Sequence, residues 1–430
     1  MKTILQLALD LLNEHRALAI AKDSVDGGVD WLEAGTPLIK SEGMEIVRKL
    51  KEIFPDKTLV ADMKTMDTGA FETEMAAKAG ADVVCVLAAS DNSTIVDAIK
   101  SAKKYGTKIM ADLIGVKDKL KRSKELEKLG VDYLCMHVGI DEQMIGRKPI
   151  ETLSKIVKNT SIPLAVAGGI NSETAADCIK AGASIIIVGG AITKAKDVKL
   201  ATKQMKKAIN EKKKIKTDFF KKYDKSELKK AFSLVSTPNI SDAMHKKGVI
   251  QDIKPVKLGF HMVGKALTVR TIDGDWAKPI EAIDKADKGD IIVVDVSGGK
   301  TAIWGELATW SAKMKNLGGV VIDGAVRDLD DLIKIDFPIF SRYVSPNAGE
   351  PKGFGEIGAE IICGNQTVRT GDWIIGDDSG VIVVPKEISQ EIANRALNVK
   401  EQENRIRQEI KSGGSLGTVV KVKKWEKKMG

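Results

Sequence analysis

The sequence is short of aromatic residues, of cysteine and of long apolar runs, and each shortage removes a class of function. Aromatics are 4% of the 430 residues, too few for the stacking platforms that hold single-stranded nucleic acid. Four cysteines occur, Cys85, Cys135, Cys178 and Cys363, with no CxxC and no Cys/His pairing. That argues against a disulfide framework and a zinc finger, and fits a reducing cytoplasm. No run of about 18 apolar residues is present to cross a bilayer. The most apolar N-terminal stretch, 4–12, is interrupted by Asp10 and followed by Glu14 and Arg16, a poor signal peptide. The expectation is a soluble, cytoplasmic protein with no membrane partner.

What is present is ordinary globular material, 43% hydrophobic and 30% charged, and the length suits two or three domains. The net charge of +9 is not spread over the surface. Residues 194–230 alone hold fifteen lysines against five acids, an excess of ten, so the rest of the chain is close to neutral. A short basic tail (Lys421, Lys423, Lys424, Lys427, Lys428) adds to it. This reads as a solvated helix running into a connector, and a nucleic-acid partner is not expected.

Residues 1–190 repeat one unit. Apolar runs at 5–10, 30–35, 58–64, 82–88, 108–114, 133–139, 163–169 and 184–190 are each followed by a charged, helix-like segment. Several are introduced by nearly one phrase, DGGVD (26–30), KAGAD (78–82), KLGVD (128–132) and KAGAS (180–184), a glycine helix stop before a buried strand. Continuous apolar strands alternating with helices predict a parallel sheet covered on both faces. Eight of them predict a (β/α)8 TIM barrel, with an open doubly wound sheet as the alternative.

A barrel places chemistry at the C-terminal strand ends, and here those ends carry Asp10, Glu33, Asp62 with Lys64, Asp112 and His137. In ADMKTMDTGAFETEMAAKAGAD (61–82), Asp62 and Lys64 alternate along a strand and share a face. With Asp67 they form an Asp-x-Lys-x-x-Asp array that can hold an ammonium between two carboxylates, ready to meet developing negative charge. A salt-bridge network closing the barrel is the alternative. Glu33, in WLEAGTPLI, neighbours Asp62, and the two suit a hard cation such as Mg²⁺; two carboxylates held apart by Lys64 without metal is the alternative. Glycine pairs Gly168-Gly169 and Gly189-Gly190 finish the last two strands and free backbone N–H groups for a phosphate. His137 opens toward the same mouth for proton transfer, or is a satisfied strand-end histidine.

Taken together, QLALD, EAGTPLI, the Asp62–Lys64–Asp67 array, ADLI, MHVGIDEQ, AVAGGI and VGGAI resemble the 3-hexulose-6-phosphate synthase family of the orotidine-monophosphate decarboxylase superfamily, over residues 1 to about 210. The resemblance implies Mg²⁺-dependent aldol addition of formaldehyde to D-ribulose 5-phosphate, and the reverse cleavage. It implies Glu33 and Asp62 as metal ligands, Lys64 stabilising an enediolate, and Asp67 entering from the partner subunit of a dimer. His137 would lie near the reacting oxygens, Asp10 and Asp112 would line the pocket, and the glycine pairs would cradle the phosphate. The sister 3-keto-L-gulonate-6-phosphate decarboxylases typically have glutamate where Asp112 stands and arginine where Gly190 stands. They also carry an arginine shortly after the histidine, where this chain has Val138-Gly139-Ile140. These departures favour the synthase.

From about 231 the grammar changes to a second α/β domain, giving the organisation 1–210 barrel, 211–230 lysine-rich linker and 231–430 second domain. Its signal is GGVVIDGAVRDLDDL (318–332), preceded by WGELAT (304–309). Arg327 and Asp328 can bind a keto-acid carboxylate and a second divalent metal, with Asp331 nearby and backbone N–H groups of Gly305, Glu306 and Leu307 facing the keto-acid oxygens. A solvated turn is the alternative. The region resembles the family of the regulator of ribonuclease E activity A, which implies a swivelling-type fold, often trimeric, and either a keto-acid lyase or a regulatory module.

Overall fold

Eight short strands close the first half into a barrel: β1 (Ile4–Leu9), β2 (Trp31–Ala34), β3 (Thr58–Thr65), β4 (Val83–Leu87), β5 (Lys108–Asp112), β6 (Tyr133–His137), β7 (Leu164–Ala167) and β8 (Ile185–Val188). Every neighbouring pair is parallel, and β8 returns to β1. The computed structural model describes residues 3–139, 150–217, 221–411 and 413–420. The basic tail from Lys421 and the last part of the MHVGIDEQ phrase, from Ile140, lie outside the described residues.

The repeated phrase does two jobs. Gly28 and Gly130 end their helices at φ of 95° and 93°, and Gly80 and Gly182 follow theirs at 99° and 103°, left-handed positions that favour glycine. The aspartate two residues later pins the neighbouring strand. Asp30 accepts the N–H of Leu5 at 2.8 Å, Asp82 that of Leu59 at 2.8 Å, and Asp132 that of Ile109 at 2.9 Å. A buried barrel rim thereby satisfies strand-start amides that have no ladder partner.

Alternation sorts each strand's residues. One set (Leu5, Leu7, Leu32, Leu59, Val84, Ile109, Leu134, Val166, Ile186) packs outward under the helices. The other (Ala8, Val60, Val83, Cys85, Met110, Cys135, Ala165, Ile185, Ile187) fills the barrel interior. Trp31 and Tyr133, 5.6 Å apart and edge-on, pack against that interior set. The barrel is a packed core whose chemistry is confined to the upper mouth.

The helix Val198–Glu211 belongs to the barrel. It buries Thr202, Met205, Ala208 and Ile209, and its Lys206 pairs with Asp30. The chain divides at Met1–Lys222 and Tyr223–Gly430. The expected connector of 211–230 therefore ends early, because Tyr223, Leu228 and Phe232 are buried in the second unit's core.

That second unit is built on a mixed sheet. Met262–Arg270, Ile291–Asp295, Gly319–Val326 and Ile339–Val344 run parallel, and the first is flanked on its other side by antiparallel Trp373–Asp377 and Gly380–Val384. The unit's helices include Glu306–Met314 and Ser389–Lys411. The strand Ile339–Val344 carries the polar Ser341 and Arg342 within it. Among the described residues, no helix is long and apolar enough to cross a membrane.

Candidate active site at the barrel mouth

Glu33, Asp62, Lys64, Asp112 and His137 stand at the upper ends of β2, β3, β5 and β6, and most of them are joined by hydrogen bonds or ion pairs. The Lys64 ammonium lies 2.8 Å from Oδ2 of Asp62 and 3.1 Å from Oδ2 of Asp112. The same Asp112 oxygen receives Nδ1 of His137 at 2.9 Å, and its other oxygen accepts the Ile114 N–H at 2.9 Å. An ammonium, an imidazole and a backbone donor thus converge on one buried carboxylate.

This corrects the sequence reading in two ways. The second carboxylate on Lys64 is Asp112 and not Asp67, whose exposed side chain accepts the N–H of its own neighbour Thr68 at 2.7 Å. Nor does simple alternation bring Asp62 and Lys64 together. The pairing of β3 with β4 slips between Ala61 and Thr65, and Lys64 takes a left-handed φ of 50°. A bulge re-aims the lysine across the mouth, at a backbone cost of about 1–3 kcal/mol.

Burial disfavours the Lys64 ammonium, but the charges of Asp62 and Asp112 outweigh it and hold its pKa well above the ordinary lysine value. Burial likewise works against the charge of Asp112, yet the bond from His137 and the charges of His137 and Lys64 keep its carboxyl below the usual range. An ionised Asp112 can only accept, so the bond places the imidazole proton on Nδ1 of His137.

On the opposite side the balance is reversed. Glu33 is buried and beside Asp62 and Asp10, and these push its carboxyl well above the ordinary value. Asp10, reached by solvent at the rim yet ringed by protein, is raised by that crowding and by Asp62. Gly35 makes room for it: a Cβ there would meet Asp10 Oδ1 at 2.2 Å. Glu33 is held by Nε2 of Gln6 at 2.5 Å, and the other amide atom of Gln6, Oε1, is buried without a partner. Asp62 is held by Thr36, whose Oγ1 is 2.8 Å from both its carbonyl oxygen and Oδ2.

Crowded hard-oxygen donors and an orphaned amide oxygen fit a small divalent cation such as Mg²⁺. No three of the described His, Cys, Asp and Glu side chains converge tightly enough to cage a metal. A cation held by Glu33 and Asp62 would need water and substrate oxygens for the rest of its shell. Gln6, Thr36 and Gly35 were missed from sequence, although QLALD and EAGTPLI contain them; nothing local marks an amide or hydroxyl as the holder of a distant carboxylate.

Gly168 and Gly169 take φ of 105° and 65°, and a Cβ on Gly168 would lie 2.3 Å from the Val138 carbonyl. Gly189 precedes the single helical turn Gly190–Thr193. Among the described residues, the N–H groups of Gly169, Gly189 and Gly190 make no turn or capping bond, the condition a backbone anion cradle requires.

The second unit's expected residues are only partly gathered. Asp328, at φ 61°, lies 3.6 Å from Nε of Arg327 and accepts the Glu306 N–H at 3.0 Å. A Cβ on Gly305 would meet that carboxylate at 2.4 Å. The Glu306 amide is thus already used and does not face a ligand as expected. Asp331 is nearby as expected, its N–H donating to the Asp328 carbonyl at 3.0 Å, while its side chain pairs with Lys334 at 3.0 Å and the Leu307 side chain is exposed.

Residues 3–205 match the family model described as Orotidine 5′-phosphate decarboxylase / HUMPS family, and residues 237–383 the model described as RraA-like, Aldolase/RraA. A 3-hexulose-6-phosphate synthase of Bacillus subtilis is 44% identical over 207 residues, 48% of this chain and 98% of the relative. One of Mycobacterium gastri is 42% identical over 205 residues, 48% of this chain and 99% of the relative. The solved 3-hexulose-6-phosphate synthase from Salmonella typhimurium is 40% identical, covering 49% of this chain and 100% of that one, with a TM-score of 0.47.

Proposed function

The chain belongs, through its first half, to the orotidine 5′-phosphate decarboxylase / HUMPS family, and on that premise we propose that its barrel is a 3-hexulose-6-phosphate synthase. The reaction is the Mg²⁺-dependent aldol addition of formaldehyde to D-ribulose 5-phosphate, giving D-arabino-3-hexulose 6-phosphate, and its reverse. The observation that carries this reading is the split mouth: a carboxylate half built around Glu33 and Asp62 faces an ammonium–imidazole half built on Asp112.

Glu33 and Asp62 would hold the metal, which when bound supplies Lewis-acid polarisation of the sugar oxygens. The glycine amides at 169, 189 and 190 bind the phosphate and fix the register of the sugar. Nε2 of His137, its other nitrogen being committed to Asp112, takes the proton next to the sugar carbonyl, and Lys64, kept charged by Asp62 and Asp112, stabilises the enediolate that is left. The enediolate carbon then bonds to the formaldehyde carbon, and His137 returns the proton to the former formaldehyde oxygen. Asp10 lines the rim. Asp67, turned away from its own site, acts in the site of a second subunit, and the exposed Met66 and Phe71 beside it supply apolar contact for that dimer.

In the second unit, Arg327 beside Asp328 supports a keto-acid lyase, with the cation taking a carboxylate and Asp328 a divalent metal. Oxaloacetate decarboxylation that requires a divalent metal is the expected result there; its absence, with capture of a ribonuclease instead, assigns the unit to regulation.

The decisive experiment on the barrel is formaldehyde consumption by the full chain with ribulose 5-phosphate, with and without chelator. Consumption that requires both sugar phosphate and Mg²⁺ is expected. Activity unchanged by exhaustive chelation removes the metal from the reading, and faster turnover of 3-keto-L-gulonate 6-phosphate replaces the synthase with the decarboxylase.

A further inference from the structure

The chain does not run straight on from the last barrel helix, Val198–Glu211. Lys212 takes φ 52°, the Lys213 N–H bonds back to the Ala208 carbonyl at 3.2 Å, and the chain reverses. The next residues lie along the loop that follows β7. The Ile215 N–H donates to the Ser172 carbonyl at 3.0 Å, and the Ser172 hydroxyl donates to the Ile215 carbonyl at 2.8 Å. The Thr217 N–H donates to Oε1 of Glu173 at 2.9 Å, and Lys214 pairs with Asp177 at 2.7 Å.

That loop begins with Gly168 and Gly169. Its frame is tight: Asn171 Oδ1 accepts the N–H groups of Glu173 and Thr174 at 3.0 and 3.1 Å, and Asn171 and Ser172 are both buried. The glycines themselves carry no side chains and take left-handed φ, so their conformation is set by the backbone around them. The family model ends at residue 205, short of the segment that makes these bonds.

We propose that residues 213–217 form a strap that positions the phosphate-gripping glycine loop, with the backbone amides of Ile215 and Thr217 as the positioning groups. The inference rests on reading the glycine pairs as a phosphate cradle. A loop held in its binding conformation loses less freedom when ligand arrives, so sugar-phosphate affinity in this chain depends on residues beyond the barrel's last helix. The strap touches none of the groups that handle the reacting atoms, so its loss is felt in binding and not in turnover.

The test uses the full chain. Ile215→Pro removes the donor to Ser172, and Ile215→Ala keeps it. Isothermal titration with ribulose 5-phosphate, and steady-state kinetics, should show the proline variant weakened about fivefold in Kd and KM for the sugar phosphate, the scale of one lost hydrogen bond. Its kcat and its KM for formaldehyde should stay within about twofold, and Ile215→Ala should match the parent. Glu173→Ala, which removes the acceptor of Thr217, should weaken sugar-phosphate binding in the same sense and decides the matter if the proline variant does not fold. Parent-like sugar-phosphate affinity in the folded variants overturns the strap, as does a loss confined to kcat. If the parent chain itself does not bind ribulose 5-phosphate, the phosphate reading falls and the strap with it, an outcome seen before any variant is made.

Discussion

The ammonium of Lys64 lies 3.1 Å from Oδ2 of Asp112, a residue 48 positions further along the chain. The same oxygen holds His137, so Asp112 fixes the two groups that would handle charge and proton. Asp112→Asn should therefore lower kcat by about 10–10²-fold, with a smaller change in the KM for ribulose 5-phosphate. Lys64→Ala should cost at least about 10²-fold in turnover with little change in thermal stability. A Lys64→Ala enzyme of near-normal turnover would refute the role given to the ammonium.

Glu33 illustrates a site held against stability. Its carboxyl is raised above the ordinary value by burial and by Asp62 and Asp10. The folded metal-free protein then binds more protons than the unfolded chain between the unfolded pKa of about 4.3 and the raised folded value. Stability falls as pH rises through that window. In chelator at pH 8, Glu33→Gln should raise Tm by about 2–4 °C, the response of a domain this size to about 1 kcal/mol, while activity with Mg²⁺ is lost. Scanning calorimetry at pH 5 and pH 8 checks it; a Glu33→Gln Tm below the parent's at pH 8 contradicts the account.

Asp67 is exposed and turned from Lys64, so its catalytic contribution should cross a subunit boundary. Mixing inactive Lys64→Ala and Asp67→Ala chains should restore activity, because one of the two sites in a mixed dimer regains both residues. No recovery after proven subunit exchange would leave Asp67 in its own chain's site.

The two units should be separable. The last barrel helix is complete at Glu211, and Tyr223 already belongs to the second core, so a fragment ending near residue 212 should fold and keep its kcat. Lacking the strap, it should need more ribulose 5-phosphate. Asp328→Ala should leave formaldehyde consumption untouched and abolish any oxaloacetate decarboxylation. A folded but inactive fragment would show that the second unit completes the first site.

Asp275 anchors a loop of the second unit. Burial opposes its charge, but bonds from the N–H groups of Ala277, Phe354, Gly353 and Lys352, between 2.8 and 3.3 Å, prevail and hold its carboxyl below the usual range. A depressed pKa contributes stability that is full above the unfolded value of about 3.9 and is lost as pH falls through the folded value. Asp275→Asn should cost about 1–3 kcal/mol at pH 7, and the gap from the parent should narrow below about pH 4. Hydrogen exchange at the amides of Lys352–Phe354 should report it; a gap independent of pH would assign the cost to packing.

Most of the architecture was legible before any coordinates. Buried parallel strands, glycine helix stops and the aspartates after them are written within stretches of five to ten residues, because backbone geometry and burial alternation act at that range. Which groups reach the mouth was legible for the same reason: Glu33, Asp62, Lys64, Asp112 and His137 each sit near where a strand ends.

Partnership was not legible. From sequence, Asp67 was the natural second carboxylate for Lys64, three residues away, and the structure chose Asp112 instead. The selection was made by a bulge at β3 and by barrel closure, which bring β3 and β5 to a common mouth across an intervening strand. Gln6 on Glu33, Thr36 on Asp62 and the strap on Ser172 are of the same kind. The sequence by itself determined which groups reach the mouth; tertiary closure alone decided which of them touch, because a hydrogen bond needs positions set to a few tenths of an ångström and local periodicity sets only which face a residue takes.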